Sequence, residues 1–315
     1  MHILSAGISN DCARINSYTS SADQYFAMNM KHAGVLAVLA ASLAWALEPI
    51  FAKLSYNTSD FLHTLMFRAA LAALIALVYG TLTSKANFKI NKLQLSALVY
   101  VALAANLFGD IMYFYALTLV PVLNAVLIGY MQPIFIVLIG FLILKEEKLT
   151  KFDYAGTLIM ITAGLLITTK TLENFSTLKL GTIGDLFVLA ATIAWATTTI
   201  ATRKYLKALN AGAICLYRFL IVSILFTTYL ASTSALATPN LYQILVGIVV
   251  GIGTILYIEG LRRMKAAQAA ALELGAPFFA AIISFFILGE TVTSLQIIGI
   301  LTLFIGVYFL SKKEN

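Results

Sequence analysis

Charge is what this sequence has little of. Asp, Glu, Lys and Arg together make up 11% of its 315 residues, against about a quarter in soluble domains. That shortage excludes an ordinary water-soluble globule and points to lipid as the solvent. The two cysteines, Cys12 and Cys215, stand far apart, one in a polar tail and one in an apolar run. They exclude a disulfide framework and a cysteine-based metal cluster. The three histidines, His2, His32 and His63, lie in the tail or at the ends of apolar runs. There is no H-E-x-x-H, no G-x-S-x-G within an apolar run and no Cys/His set, so a zinc or serine enzyme is not expected. The expectation is no enzyme, no bound metal and no cofactor. A P-loop is missing, which argues against ATP-driven work, and no filter-like stretch or charged ring argues for a channel. Residues 1–30 lack the basic start and apolar core of a cleavable signal; they are polar and Ser/Asn-rich, and a disordered cytoplasmic tail is expected there. Met28 and Met30 are alternatives to Met1 as the translation start.

What is present is apolar length. Hydrophobic residues make up 61% of the chain, and a bilayer core of ~30 Å takes about 20 apolar residues per helix. Runs of that kind fall near 33–54, 60–80, 93–118, 121–144, 151–169, 182–203, 208–231, 240–261, 266–288 and 294–311. The net charge of +7 does not signal nucleic acid, because the cations sit in short links between runs. With a cytoplasmic N-terminus, one side holds Arg14, Lys31, Lys85, Lys89, Lys92, Lys145, Lys148, Lys151, Arg203, Lys204, Lys207, Arg262, Arg263, Lys265, Lys312 and Lys313. The other side holds only Lys53, Lys170 and Lys179. The positive-inside rule then predicts both termini in the cytoplasm of a plasma (cell inner) membrane protein.

The chain also repeats itself. "MQPIFIVLIGFLILKE" (131–146) and "GAPFFAAIISFFILGE" (275–290) set Pro133 against Pro277 and Glu146 against Glu290, at an offset of 144. At the same offset Tyr113 aligns with Tyr257, and Asp110 with Thr254. Earlier in each copy the offset is 150, aligning Trp45 with Trp195, Glu48 with Thr198 and Arg68 with Arg218. The fold expected is therefore an all-α integral membrane protein, with ten transmembrane helices as two inverted five-helix repeats over 31–170 and 180–312. Five is odd, so the second copy enters the membrane upside down, a plan common among transporters.

These paired features resemble the drug/metabolite transporter superfamily and its ten-helix EamA-type members. The resemblance rests on a Trp in each first helix, an Arg in each second, the Pro-to-Glu segments, and the glycines of each last helix, Gly156 and Gly164 beside Gly299 and Gly306. It covers Lys31 to Lys313; Lys145, where that pattern has Gly, and Glu48 depart from it. It implies secondary transport of small metabolites, such as amino acids or related amphipathic compounds, by alternating access around a cavity lined by helices 1, 3, 4, 6, 8 and 9. Export or exchange is the direction it suggests. A membrane scaffold or sensor, or a channel, is the alternative. The partners expected are a small-molecule substrate and the lipid bilayer, with no nucleic acid; a homodimer stays open.

Ionisable groups inside a span are costly and usually face an interior or a watery cavity. Glu48, Asp110 and Arg68 fall at similar depth in the first copy, so they are expected to form one charged layer. Arg218, Glu259 and Glu273 are expected to form a second layer on the other side of the midplane. Glu48, Asp110 and Glu273 are the candidate coupling or binding acids, while Arg68, Arg218 and Glu259 read as structural charges. The aromatic and amide residues Trp45, Tyr113, Tyr130, Gln132, Trp195 and Tyr257 offer stacking, cation–π and hydrogen-bonding groups. Pro49, Pro133 and Pro277 each free a carbonyl and are expected to kink a helix near the cavity. Glu146 and Glu290 read as loop or cap residues.

Overall fold

Residues 32–83, 88–140, 150–177, 181–261, 263, 272–273 and 275–311 are described in a computed structural model. The tail 1–30 and Glu146 lie outside the described residues. No strand occurs among the described residues. The long helices are α1 (His32–Ser55), α2 (Phe61–Leu82), α3 (Lys92–Ala116) and α4 (Val122–Ile139), then α5 (Lys151–Thr169), α6 (Ile183–Tyr205), α7 (Ala211–Ser232), α8 (Leu241–Leu261), α9 (Gly275–Leu288) and α10 (Ser294–Ser311). Seven of these, α1 to α4 and α6 to α8, are long and apolar enough to cross a membrane; the apolar parts of α5, α9 and α10 are shorter.

Several helices start where a polar side chain can take their first free amides. Asp60 accepts from the His63 amide at 2.9 Å to open α2, and Asn210 accepts from the Gly212 amide at 2.7 Å to open α7. Asn91 with Gln94, and Thr182 with Asp185, form reciprocal caps that open α3 and α6. Pro121 immediately precedes α4, where a missing N–H costs nothing.

Side-chain size sorts in the direction expected when lipid is the solvent. On α2, Ala69, Ala72, Ala73 and Ala76 are buried, while Leu74, Leu77, Val78 and Leu82 face outward. Lipid tails are as apolar as leucine, so helices gain by close approach of small residues rather than by hiding large ones. The contact between α2 and α8 illustrates this. A Cβ on Gly247 would fall 2.6 Å from Leu71 Cβ and 3.1 Å from the Phe67 carbonyl oxygen, and one on Gly251 would fall 3.1 Å from the Ala72 Cα. The other large packing faces join α2 to α7, α5 to α10, and α6 to α3 and α4.

The helices alternate in direction, because their connections gather at one end. Asn240, before α8, donates to the Ser55 carbonyl after α1 at 3.0 Å. Lys53 donates to the Val120 carbonyl between α3 and α4 at 3.0 Å, and to Glu290 between α9 and α10 at 3.2 Å. Gly184, at the start of α6, packs on Val120. At the opposite end the Tyr217 hydroxyl of α7 donates to the Phe88 carbonyl before α3 at 2.8 Å.

Two helices depart from regular geometry. Residues Ala102–Gly109 of α3 are π-helical, directly before Asp110. Such wide turns are rare and occur mostly at functional sites. In α4 the helix stops at Gly129 and resumes at Gln132, with Pro133 in the first turn of the second segment. The sequence predicts a kink at Pro133; the structure has a break, with Tyr130 and Met131 forming a turn. Pro277 likewise lies in the first turn of the described α9, whereas Pro49 sits inside an uninterrupted α1.

Candidate functional site

Residues far apart in sequence meet in one buried charge network. Arg68 on α2 donates through Nε to Glu48 Oε1 on α1 at 2.5 Å, and through Nη1 to Asp110 Oδ2 on α3 at 2.6 Å. Asn106, one turn before Asp110, donates to the same Oδ2 at 2.9 Å and accepts from Arg218 Nε on α7 at 2.8 Å. Trp195 on α6 donates its indole N–H to Asp110 Oδ1 at 3.2 Å. Glu48, Arg68 and Asp110 are 8%, 7% and 2% exposed. Charges this deep are tolerable only when paired and hydrogen-bonded, and Arg68 is both. Its planar guanidinium also lies over the rings of Phe114 and Phe219, at 5.3 and 5.6 Å, where aromatic faces add cation–π attraction.

The expected grouping of Glu48, Asp110 and Arg68 is therefore present as direct ion pairs. Of the second expected layer, Arg218 joins the same network. Arg218 lies over the same Phe219 ring as Arg68, at 5.0 Å, and bonds to Asn106 of the first copy. The physical reason is depth: each Arg is the eighth residue of its helix, and α2 and α7 run antiparallel. At 1.5 Å per residue each lies ~11 Å from opposite ends of a ~33 Å helix. That brings both close to the middle, within reach of long side chains. Glu259 pairs instead with Arg263 on its own helix end, at 3.4 Å. Glu273 is half-buried, next to Leu272, whose carbonyl accepts from Ser42 of α1 at 3.1 Å.

The aromatic candidates pair reciprocally. Trp45 of α1 packs on Tyr257 of α8 with centroids 4.8 Å apart, and Trp195 of α6 packs on Tyr113 of α3 at 5.1 Å. Gly109 makes room for the Trp195 indole, since a Cβ there would lie 2.8 Å from Nε1, whereas a Cβ on Gly253 would clash with Ala44 Cβ at 2.9 Å and only touch Trp45 Nε1 at 3.6 Å. Gln132, just after the break in α4, donates to Thr199 Oγ1 of α6 at 3.0 Å, and Tyr130 sits in the break itself, half-buried.

Three features had no clear signature in the sequence. Phe219 beneath both guanidiniums follows Arg218 directly, a signal too common to single out. The π-helical stretch that sets Asn106 against the Asp110 carboxylate has no proline or cap to announce it. Glu290 caps a neighbouring helix rather than its own: its two oxygens accept from the Val122 and Leu123 amides at 2.8 and 3.1 Å. No cluster of His, Cys, Asp and Glu suited to a metal occurs among the described residues. Two cavities of about 240 and 190 Å³ lie apart from the network, on the flank of α3 and α6 around Tyr100, Ala201 and Tyr205.

Long apolar helices around a buried ionic network define a multi-pass membrane protein with a polar interior. The comparisons name its class as transporter. The EamA-like transporter family model matches residues 32–169 and again 182–312, so the chain belongs to that family. An uncharacterized transporter of Synechocystis is 25% identical over 224 residues, 66% of this chain, and the match spans 63% of that relative's length. Uncharacterized transporters of Bacillus subtilis and Clostridium kluyveri are 24% and 25% identical over 76% and 73% of this chain, and 81% and 78% of their own. A protein known from a crystal structure shares the fold, with a TM-score of 0.62 at 19% identity over 89% of this chain and 97% of its own. The family and its three bacterial relatives carry the name transporter.

Proposed function

We propose that this chain is a secondary active transporter of small metabolites, amino acids or related amphipathic compounds, working by alternating access as an exporter or exchanger. Ten spans in two inverted five-helix halves, 31–170 and 180–312, would rock about the Arg68–Arg218 network. Both termini would be cytoplasmic in the plasma membrane.

The observation that carries this reading is the reciprocal aromatic pairing. Under the sequence alignment of the halves, Trp45 is the counterpart of Trp195 and Tyr257 the counterpart of Tyr113. Each Trp packs on the Tyr of the other half. Residue i touching j′ while i′ touches j is what a two-fold relation generates. Two halves related in this way have two exchanged arrangements of similar energy, which alternating access requires. A scaffold needs no such exchange.

Glu48 is the acid we assign to proton coupling, since its Oε1 is tied to Arg68 while no hydrogen bond from the described residues engages Oε2. In proteoliposomes, Glu48→Gln is expected to abolish flux driven by a pH gradient while sparing exchange between substrate pools. Gradient-driven flux at the wild-type rate would remove Glu48 from the coupling role. No flux of any of a panel of amino acids and small metabolites, in either mode, would remove the carrier reading.

A further inference from the structure

The two halves treat their equivalent arginines differently. In the first half, Arg68 meets two carboxylates, Glu48 and Asp110, and Asp110 also takes the indole N–H of Trp195. In the second half the equivalent donors remain: Arg218 stands for Arg68, and Trp45 for Trp195. The acceptors do not. Thr198 stands for Glu48 and Thr254 for Asp110, and each threonine hydroxyl turns to its own helix, donating to the Trp195 carbonyl at 2.9 Å and the Val250 carbonyl at 2.7 Å.

The result is a set of unused donors near the middle of the molecule. Arg218 is engaged only through Nε, by Asn106, and through its face, by Phe219. Among the described residues its Nη1 and Nη2 groups make no hydrogen bond or ion pair, and neither does Trp45 Nε1. Arg218 is half-buried rather than sealed, and no fully buried side-chain nitrogen or oxygen among the described residues lacks a partner, so those unpaired groups keep some exposed surface. Two parallel guanidinium N–H bonds fit a carboxylate in bidentate fashion. Such a pair strengthens where water is scarce.

We propose that a carboxylate group of the transported solute binds Arg218, with the Trp45 indole N–H as second donor, in the place that Asp110 holds in the first half. The assignment rests on the carrier reading above and specifies the chemistry of its site. The solute completes the second half's ion pair, as a built-in side chain completes the first. Formal charge selects among carboxylates. Glu48 and Asp110 balance Arg68 and Arg218, so a zwitterion enters at no net charge, whereas a simple monocarboxylate needs an accompanying proton.

The test uses purified full-length protein and matched probes: leucine with leucinamide, phenylalanine with phenylalaninamide, and 3-phenylpropionate with its amide. Thermal-shift titration of the wild type is expected to respond to α-carboxylates and not to the forms in which that group is an amide. Arg218→Gln should weaken the response about ten- to a hundredfold, the range for losing hydrogen bonds to a charged group, and Arg218→Lys should weaken it less. Thr254→Asp is the decisive variant. It supplies the missing acid internally and should abolish the carboxylate response while the melting temperature is held or raised. Equal responses to acid and amide, no carboxylate response in the wild type, or an unchanged response in Arg218→Gln or a folded Thr254→Asp would each overturn the assignment. Flux assays with the same probes separate the two readings. Transport of amides and amines as fast as acids leaves a carrier without this site, whereas no transport at all removes the carrier itself. A response to 3-phenylpropionate equal to that for phenylalanine would support the carboxylate site and identify a proton, rather than an ammonium, as the balancing charge.

Discussion

Arg68 and Arg218 are the same residue type at equivalent positions of two similar segments, and their surroundings make them unlike. Arg68 has two carboxylates and two ring faces; Arg218 has one amide oxygen and one ring face. Removing Arg68 leaves Glu48 and Asp110 buried without their cation. Breaking one side of a buried pair costs about 3–5 kcal/mol. Arg68→Gln is therefore expected to cause a large drop in melting temperature or a loss of folded protein, measured by size-exclusion fluorescence after heating. Arg68→Lys should recover little, because one ammonium cannot reproduce two bonds made from a rigid fork. At Arg218 the opposite holds: its substitution should be mild for stability and severe for the solute. That contrast was not legible in the sequence, which presents both arginines alike and gives their partners only as four residues, two acids and two threonines, at matched offsets.

At the scale of elements, close approach and capping set the geometry around the network. The α2–α8 contact depends on Gly247 and Gly251, where any side chain meets Leu71 or the α2 backbone. Gly247→Leu should separate these helices and destabilise the protein by about 1–3 kcal/mol, the usual cost of overpacking; thermal unfolding in detergent checks this, and an unchanged midpoint would show that the contact yields freely. Glu290 joins α9 to the start of α4, with Lys53 of α1 completing the link. Glu290→Ala strips two amides of their acceptor and should cost about 0.5–2 kcal/mol, as other lost caps do. The caps at Asp60, Asn91, Thr182 and Asn210 came from the structure, although each acts within four residues of its helix start. The break at Pro133 was half readable: proline locates the disturbance, but the turn at Tyr130 and Met131 depends on how α4 packs against α6.

For the whole molecule, the connections after α1, α3, α7 and α9 share one end with the start of α6. Under the proposed topology that end faces outward, away from the Lys/Arg-rich links. In a Cys12→Ser, Cys215→Ser background, a cysteine at Thr58 should react with a membrane-impermeant maleimide applied to intact cells. A cysteine at Arg263 should react only after the membrane is opened. The reverse pattern would invert the orientation without disturbing the fold.

Taken by itself, the sequence determined the solvent, the approximate spans and the residues to watch. Run length and charge scarcity are local or additive properties, readable without knowing which helix faces which. Tertiary structure decided the partnerships: that Arg218 shares Phe219 and Asn106 with the Arg68 cluster, that Glu259 pairs on its own helix, and that Glu290 caps α4. Those outcomes depend on the rotation of each helix about its axis. A helix apolar on every side carries little information about that angle. Small-residue contacts such as Gly247 on Leu71, and the π-helical turn before Asp110, set it instead. They bring Glu48, Arg68, Asp110, Asn106 and Arg218 together and leave the outer edge of Arg218 without a partner among the described residues.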